Sequence, residues 1–130
     1  MRGSKVLAWE KTLKGVFDRI DARLEQEYGG KYLLRPNRPK SGWTSNPEFD
    51  GLFDVGAVFS AGFGSEHGRG YIVKVNMSTL SRVPADVISE IEGKVVAMLE
   101  EMLPIAFPNQ HLRVVLDGHL YKIIGDFKLD

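Results

Sequence analysis

Between Gly62 and Gly70 the chain reads GFGSEHGRG, which sets a serine, a glutamate, a histidine and an arginine among four glycines. Residues of these types suit a phosphate cradle, an active-site loop or a turn. A dinucleotide-binding fingerprint needs G-x-G-x-x-G at the opening of a helix. Here the step from Gly64 to Gly68 is one residue too long, and an alternating, strand-like segment follows. A P-loop needs Lys and Ser or Thr after its last glycine, where this chain has Arg69 and Gly70. A kinase-type glycine loop lies between two strands, but its spacing also differs. Glycine adopts positive φ at little cost, so the run reads as a long, mobile hairpin tip. Arg69 is kept as its one candidate ligand contact.

Other chemistry-bearing residues are sparse. Without cysteine, thiolate metal sites, disulfides and cysteine nucleophiles are excluded. His111 and His119 flank an Asp117-Gly118 pair between alternating runs, the pattern of a tight hairpin. With Asp117-Gly118 as its two turn residues, Arg113 pairs with Lys122. The two histidines then lie about 16 Å apart at ~3.3 Å per residue, too far to share a metal ion at ~2 Å per bond. No metal site and no cofactor are expected. Glu48, Asp50 and Asp54 cluster, but Asp-Gly segments also serve turns. Ser41, Ser45 and Ser60 have no histidine beside them. No catalytic residue is expected.

Residues 31–43 carry Lys31, Arg35, Arg38 and Lys40 with no acid, and end at Trp43. Cations beside an aromatic ring suit phosphate contact and base stacking. Arg35, Arg38, Lys40 and Trp43, with Arg69, form the candidate ligand-binding set for an anion or nucleic acid. Against this stands the charge balance: 17 basic and 17 acidic residues, net zero. Nucleic-acid binders usually show a basic excess.

The elements that position these groups follow from periodicity. Trp9, Leu13, Val16, Phe17, Ile20, Leu24 and Tyr28 recur at helical steps, with Ser4 as N-cap and Gly29-Gly30 as stop. Residues 31–51 break periodicity and hold three prolines, so an irregular loop is expected there. Residues 52–60 and 70–78 alternate, as two strands of a hairpin. A second helix starts at Pro84 and ends at Pro104 and Pro108. The last hairpin completes a helix-hairpin-helix-hairpin order.

Over 130 residues, 43% of them hydrophobic, this order implies one α+β domain. The expected architecture is a two-layer sandwich: a four-stranded, mainly antiparallel sheet covered on one face by two helices. The order is a circular permutation of the β-α-β-β-α-β unit, and so resembles the ferredoxin-like topology. Were Lys31 to Arg35 a further strand, the order would instead resemble secretion-chaperone-type folds. No motif ties the chain to a named family.

The hairpin alternation also sorts side chains by face. Leu112, Val114, Leu116, Tyr121 and Ile123 form the core face. Ile72, Lys74, Arg113, Val115, Leu120, Lys122 and Ile124 form an open face that mixes aliphatic and basic groups. Arg113 opposite Lys122 is unfavourable, and an acidic partner would relieve it. An aliphatic open face marks an interface. The expected function is a non-catalytic interaction module that forms a homodimer or takes a small protein partner, in the cytoplasm and away from membranes.

Overall fold

A computed structural model of the chain describes residues 3–127. Its elements in chain order are α1 (Ser4–Tyr28), a short 3-10 turn (Pro47–Phe49), β1 (Phe53–Ser60), β2 (Gly70–Met77), α2 (Ala85–Ala106), β3 (Arg113–Asp117) and β4 (Leu120–Ile124). The strands form one antiparallel sheet in the order β1-β2-β4-β3, and the helices pack on one side of it. The α+β expectation holds. Strands β2 and β3, joined through α2, run in the same direction with β4 between them, a split β-α-β arrangement.

All seven residues of the expected α1 stripe are buried. Gly3 rather than Ser4 is the N-cap, and no side chain caps the helix. At the other end Gly29 is the C-cap, and Gly30 takes φ 85°, where glycine carries no Cβ penalty. Trp9 anchors the N-terminal half. Its indole Nε1 donates to Gln110 Oε1 at 2.7 Å, and its ring lies 4.9 Å from Tyr71 and 4.8 Å from Phe107. A buried indole is thus packed and hydrogen-bonded at once.

The second helix does not stop at Pro104. It runs on to Ala106, with Phe107 as C-cap. Proline removes one helical hydrogen bond, but Leu103 and Phe107, buried on either side of it, hold the last turn against the core. Lys31 to Arg35 form no strand. Leu34 makes a single bridge to Thr79 there.

The final hairpin keeps its expected faces but not its expected partners. Asp117 pairs with Leu120, so Gly118 and His119 are the turn residues. Gly118 has φ 66°, whereas His119 is not among the residues with positive φ. That is the φ pattern of a type II′ turn, which wants glycine first. Moving the turn by one residue shifts each pairing by two. Arg113 therefore faces Ile124 and Lys122 faces Val115, and the expected Arg113–Lys122 repulsion does not arise. A shift of two leaves every side chain on its original face.

Leu99 is fully buried and Ile105 is 79% exposed on the same helix. Leu99→Ala should lower stability by ~2–5 kcal/mol, whereas Ile105→Ala should change it by less than ~0.5 kcal/mol. Urea midpoints at unchanged slope would measure both. Equal losses would mean that α2 docks on another face.

Candidate functional site

The glycine loop does not stand away from the sheet. Lys122, in the middle of the open face, reaches into it: Nζ donates to Gly68 O at 2.7 Å and to Ser65 Oγ at 3.1 Å. The same Nζ pairs with Asp117 at 2.9 Å. Asp117 in turn accepts the backbone N–H groups of Glu66 at 3.2 Å and His67 at 3.0 Å. The loop therefore lies over the open face as a roof, with Lys122 beneath it at 2% exposure. The Lys122 ammonium and the two loop amides hold the Asp117 carboxyl down at about 2. Gly62, Gly64 and Gly68 all take positive φ, so these glycines do serve backbone geometry. Ser65 Oγ is committed to closing the loop, donating toward Gly62 O and accepting Gly68 N–H.

The 31–51 loop is organised by one guanidinium. Arg38 donates to four backbone carbonyls, those of Glu48, Asp50, Gly51 and Phe53, at 2.8–3.1 Å. These bonds occupy its fork on the loop's own backbone. Three carboxylates gather beside it: Asp21 and Glu25, one turn apart on α1, and Asp50. Glu25 Oε1 accepts the N–H groups of Leu52 and Phe53, which fixes the entry into β1. Its pKa is raised, first by burial. Burial pushes the Asp50 carboxyl up as well, but bonds from Thr44 N–H and Oγ1, both at 2.8 Å, bring it below its ordinary value. Asp21 is 3% exposed, and its Oδ2 has no hydrogen-bond partner. Burial, and then Glu25, Asp50 and Asp18, push it up to about 8, while Arg38 pulls the other way.

A cavity of about 780 Å³ opens beside this cluster, lined by Glu25, Tyr32, Leu34, Lys40 and Leu52 among others. Asp21 does not line it. Among the described residues no group of three or more histidines and carboxylates could hold a metal ion.

The candidate ligand set is not brought together. Arg35, Lys40 and Trp43 are exposed on the 31–51 loop. Trp43 is 74% exposed, with Lys40 Nζ 5.9 Å from its ring centre. Arg69 lies at the far end of β1, in a cavity with Trp9, Phe59 and Tyr71. An eight-residue strand separates it from Arg38, roughly 25 Å at ~3.3 Å per residue. The candidate interface set does share one face. Leu120 is 51% exposed on it, Ile72 and Val115 are half-buried, and Arg113 is exposed. Lys74 is paired with Asp54 at 3.2 Å and Glu48 at 3.9 Å. Lys122 and Ile124 are buried, so neither offers contact surface.

The Lys122–Asp117 pair and the buried Asp21 were missed by periodicity. Asp21 sits four residues after Phe17 and three before Leu24, on the apolar stripe itself. That spacing was the available signal.

Residues 4–125 match a protein family described as "Uncharacterised protein". The chain belongs to this family. It is similar to a protein of Borreliella burgdorferi, also described as "Uncharacterized protein", at 39% identity over 127 residues, covering 98% of this chain and 99% of that one. No solved structure matches it.

Asp21 gives the molecule a pH signature. The folded protein keeps its proton up to about pH 8, while an unfolded aspartate releases it near ~3.9. The folded state thus binds more protons across that window, and stability falls as pH rises through it. Asp21→Asn has no such loss. Its stability relative to wild type should grow from about pH 4 to about pH 8 and then level off. Urea titrations of both proteins across pH 4–9 would show this. Parallel curves would mean that Asp21 is ionised throughout.

Proposed function

We propose that the chain is a non-catalytic interaction module that self-associates through the open face of its sheet. One observation carries this reading: the cations Lys74 and Lys122 on that face are neutralised within the chain, while apolar groups stay exposed beside them. Val58 is 59% exposed and Leu120 51% exposed. Phe63, on the glycine loop, is 96% exposed. A face whose Lys74 and Lys122 are paired within the chain, and which leaves apolar side chains exposed, suits a protein partner. A symmetric contact with a second copy is the simplest such partner.

A second reading rests on Lys40 and Trp43. An exposed indole with an ammonium over it is built for stacking and phosphate contact. Arg38 is left out of this reading, since its Nε and Nη2 are engaged by backbone carbonyls. If the loop binds nucleic acid, Arg35→Ala with Lys40→Ala should flatten the salt dependence by up to ~2 units. An unchanged slope would remove this loop as the contact.

For the main reading, Leu120→Asp should halve the associated mass in sedimentation or light scattering, because an unpaired buried charge costs several kcal/mol. The fold should persist, since Leu120 lies on the face away from the helices. A wild type that is monomeric at every concentration contradicts self-association, and a variant that keeps its full mass contradicts the face.

A further inference from the structure

The sheet has two edges, and they are built differently. Strand β3 is five residues long and carries Arg113 and Asp117. Charge and shortness are the usual protections of an edge. Strand β1 is eight residues long, and its outer part reads Ala57-Val58-Phe59-Ser60, with no charge and no proline. The first half of β1 is covered. Arg38 binds Phe53 O, and Glu48 Oε1 would lie 3.8 Å from a Cβ on Gly56. From Ala57 onward the cover ends: Val58 is 59% and Phe59 47% exposed, and among the described residues the backbone of 57–59 pairs with β2 alone.

Beside this stretch, between α1 and β1, lies a cavity of about 290 Å³. Leu13 and Phe17 line it from the helix and Ala57, Phe59 and Tyr71 from the sheet, with the charged Glu10, Lys14 and Glu48 also on its wall. The small residue Ala57 leaves room there, and the large residue Phe59 projects two positions on, along the same face. Knob and hole thus sit on one strand, two residues apart.

We infer that β1 pairs antiparallel with β1 of a second copy about a two-fold axis at Val58, joining two sheets edge to edge. In that register Val58 meets Val58 of the partner copy on the axis, and each Phe59 lies opposite the other copy's Ala57, over the cavity. Antiparallel pairing of a strand with itself places its large end on its small end, which is why the occupant is a second copy. The pairing also brings no like charges together, since Asp54, the strand's one charge, lies four residues from the axis. Exposed backbone groups of both edges find partners at the same time.

This contact is made by the backbone edge of β1 and the other by side chains around Leu120; Val58 borders both, so the position-specific cross-link at Val58→Cys, set against Leu120→Asp, is what separates the edge from the face.

The absence of cysteine makes a clean test available. On-axis residues place their Cβ atoms ~4.5–5.5 Å apart, close to disulfide reach. Val58→Cys should form a disulfide-linked dimer under mild oxidation. Ser60→Cys lies about 13 Å from its mate at ~3.3 Å per residue and should not. In a separate variant, Val58→Lys sets two like charges on the axis and should halve the mass of the wild-type assembly. Each side chain is at the surface, so circular dichroism should match wild type. No cross-link at Val58→Cys, or equal cross-linking at Ser60→Cys, overturns the edge pairing. Cross-linking at Val58→Cys together with a mass unchanged by Leu120→Asp keeps the edge and removes the face. Loss of mass in Leu120→Asp with no cross-link at Val58→Cys does the reverse.

Discussion

An ammonium group whose side chain is 3% exposed must find its hydrogen-bond partners inside the protein. Lys122 finds three: the Asp117 carboxylate on its own hairpin, and Ser65 Oγ and Gly68 O on the glycine loop. That demand shapes the sheet's open side. The loop must come down over Lys122, and it can do so because Gly62, Gly64 and Gly68 accept left-handed backbone. Gly70, where β2 begins, must also lack a side chain, since a Cβ there would press on Ile123 O and the Lys122 stem. Breaking one partner of a buried pair leaves the other uncompensated, so loop, hairpin and sheet stand together.

The opposite end of the sheet follows the same logic with other groups. Arg38 closes the 38–53 segment through its carbonyls, and Glu25 closes the entry to β1 through two amides. Neither end is stapled by a disulfide or, among the described residues, by a metal cluster. Asp21 is the exception. It is buried with an unpartnered oxygen, and it meets that cost by keeping its proton.

Helix α1, both hairpins and the two-layer class were legible because apolar spacing alone decides them. The stripe from Trp9 to Tyr28 and the alternation from Phe53 to Phe59 leave little choice of period. The register of the last hairpin was not legible. Asp117-Gly118 and Gly118-His119 both place a glycine in a tight turn; in the second, glycine takes the first turn position and Asp117 stays in the ladder, paired with Lys122. Likewise Arg38 and Lys40 look alike in sequence. Only the position of the carbonyls of residues 48–53 makes one structural and leaves the other exposed. Local pattern shows which face a residue takes; long-range polar partners decide what that residue does there.

Such partners also leave the surface uneven. The roof hides Lys122, while Val58, Leu120 and the roof's own Phe63 stay in solvent. The shape of the open face therefore depends on the roof being held by Lys122, and amide hydrogen exchange tests this most directly. In Lys122→Met, which keeps an unbranched apolar stem but loses the ammonium, the amides of Glu66, His67 and Gly68 should lose protection while those of β2 and β4 keep theirs. Unchanged protection of the three loop amides would contradict the account, because the loop would then be held without the ammonium.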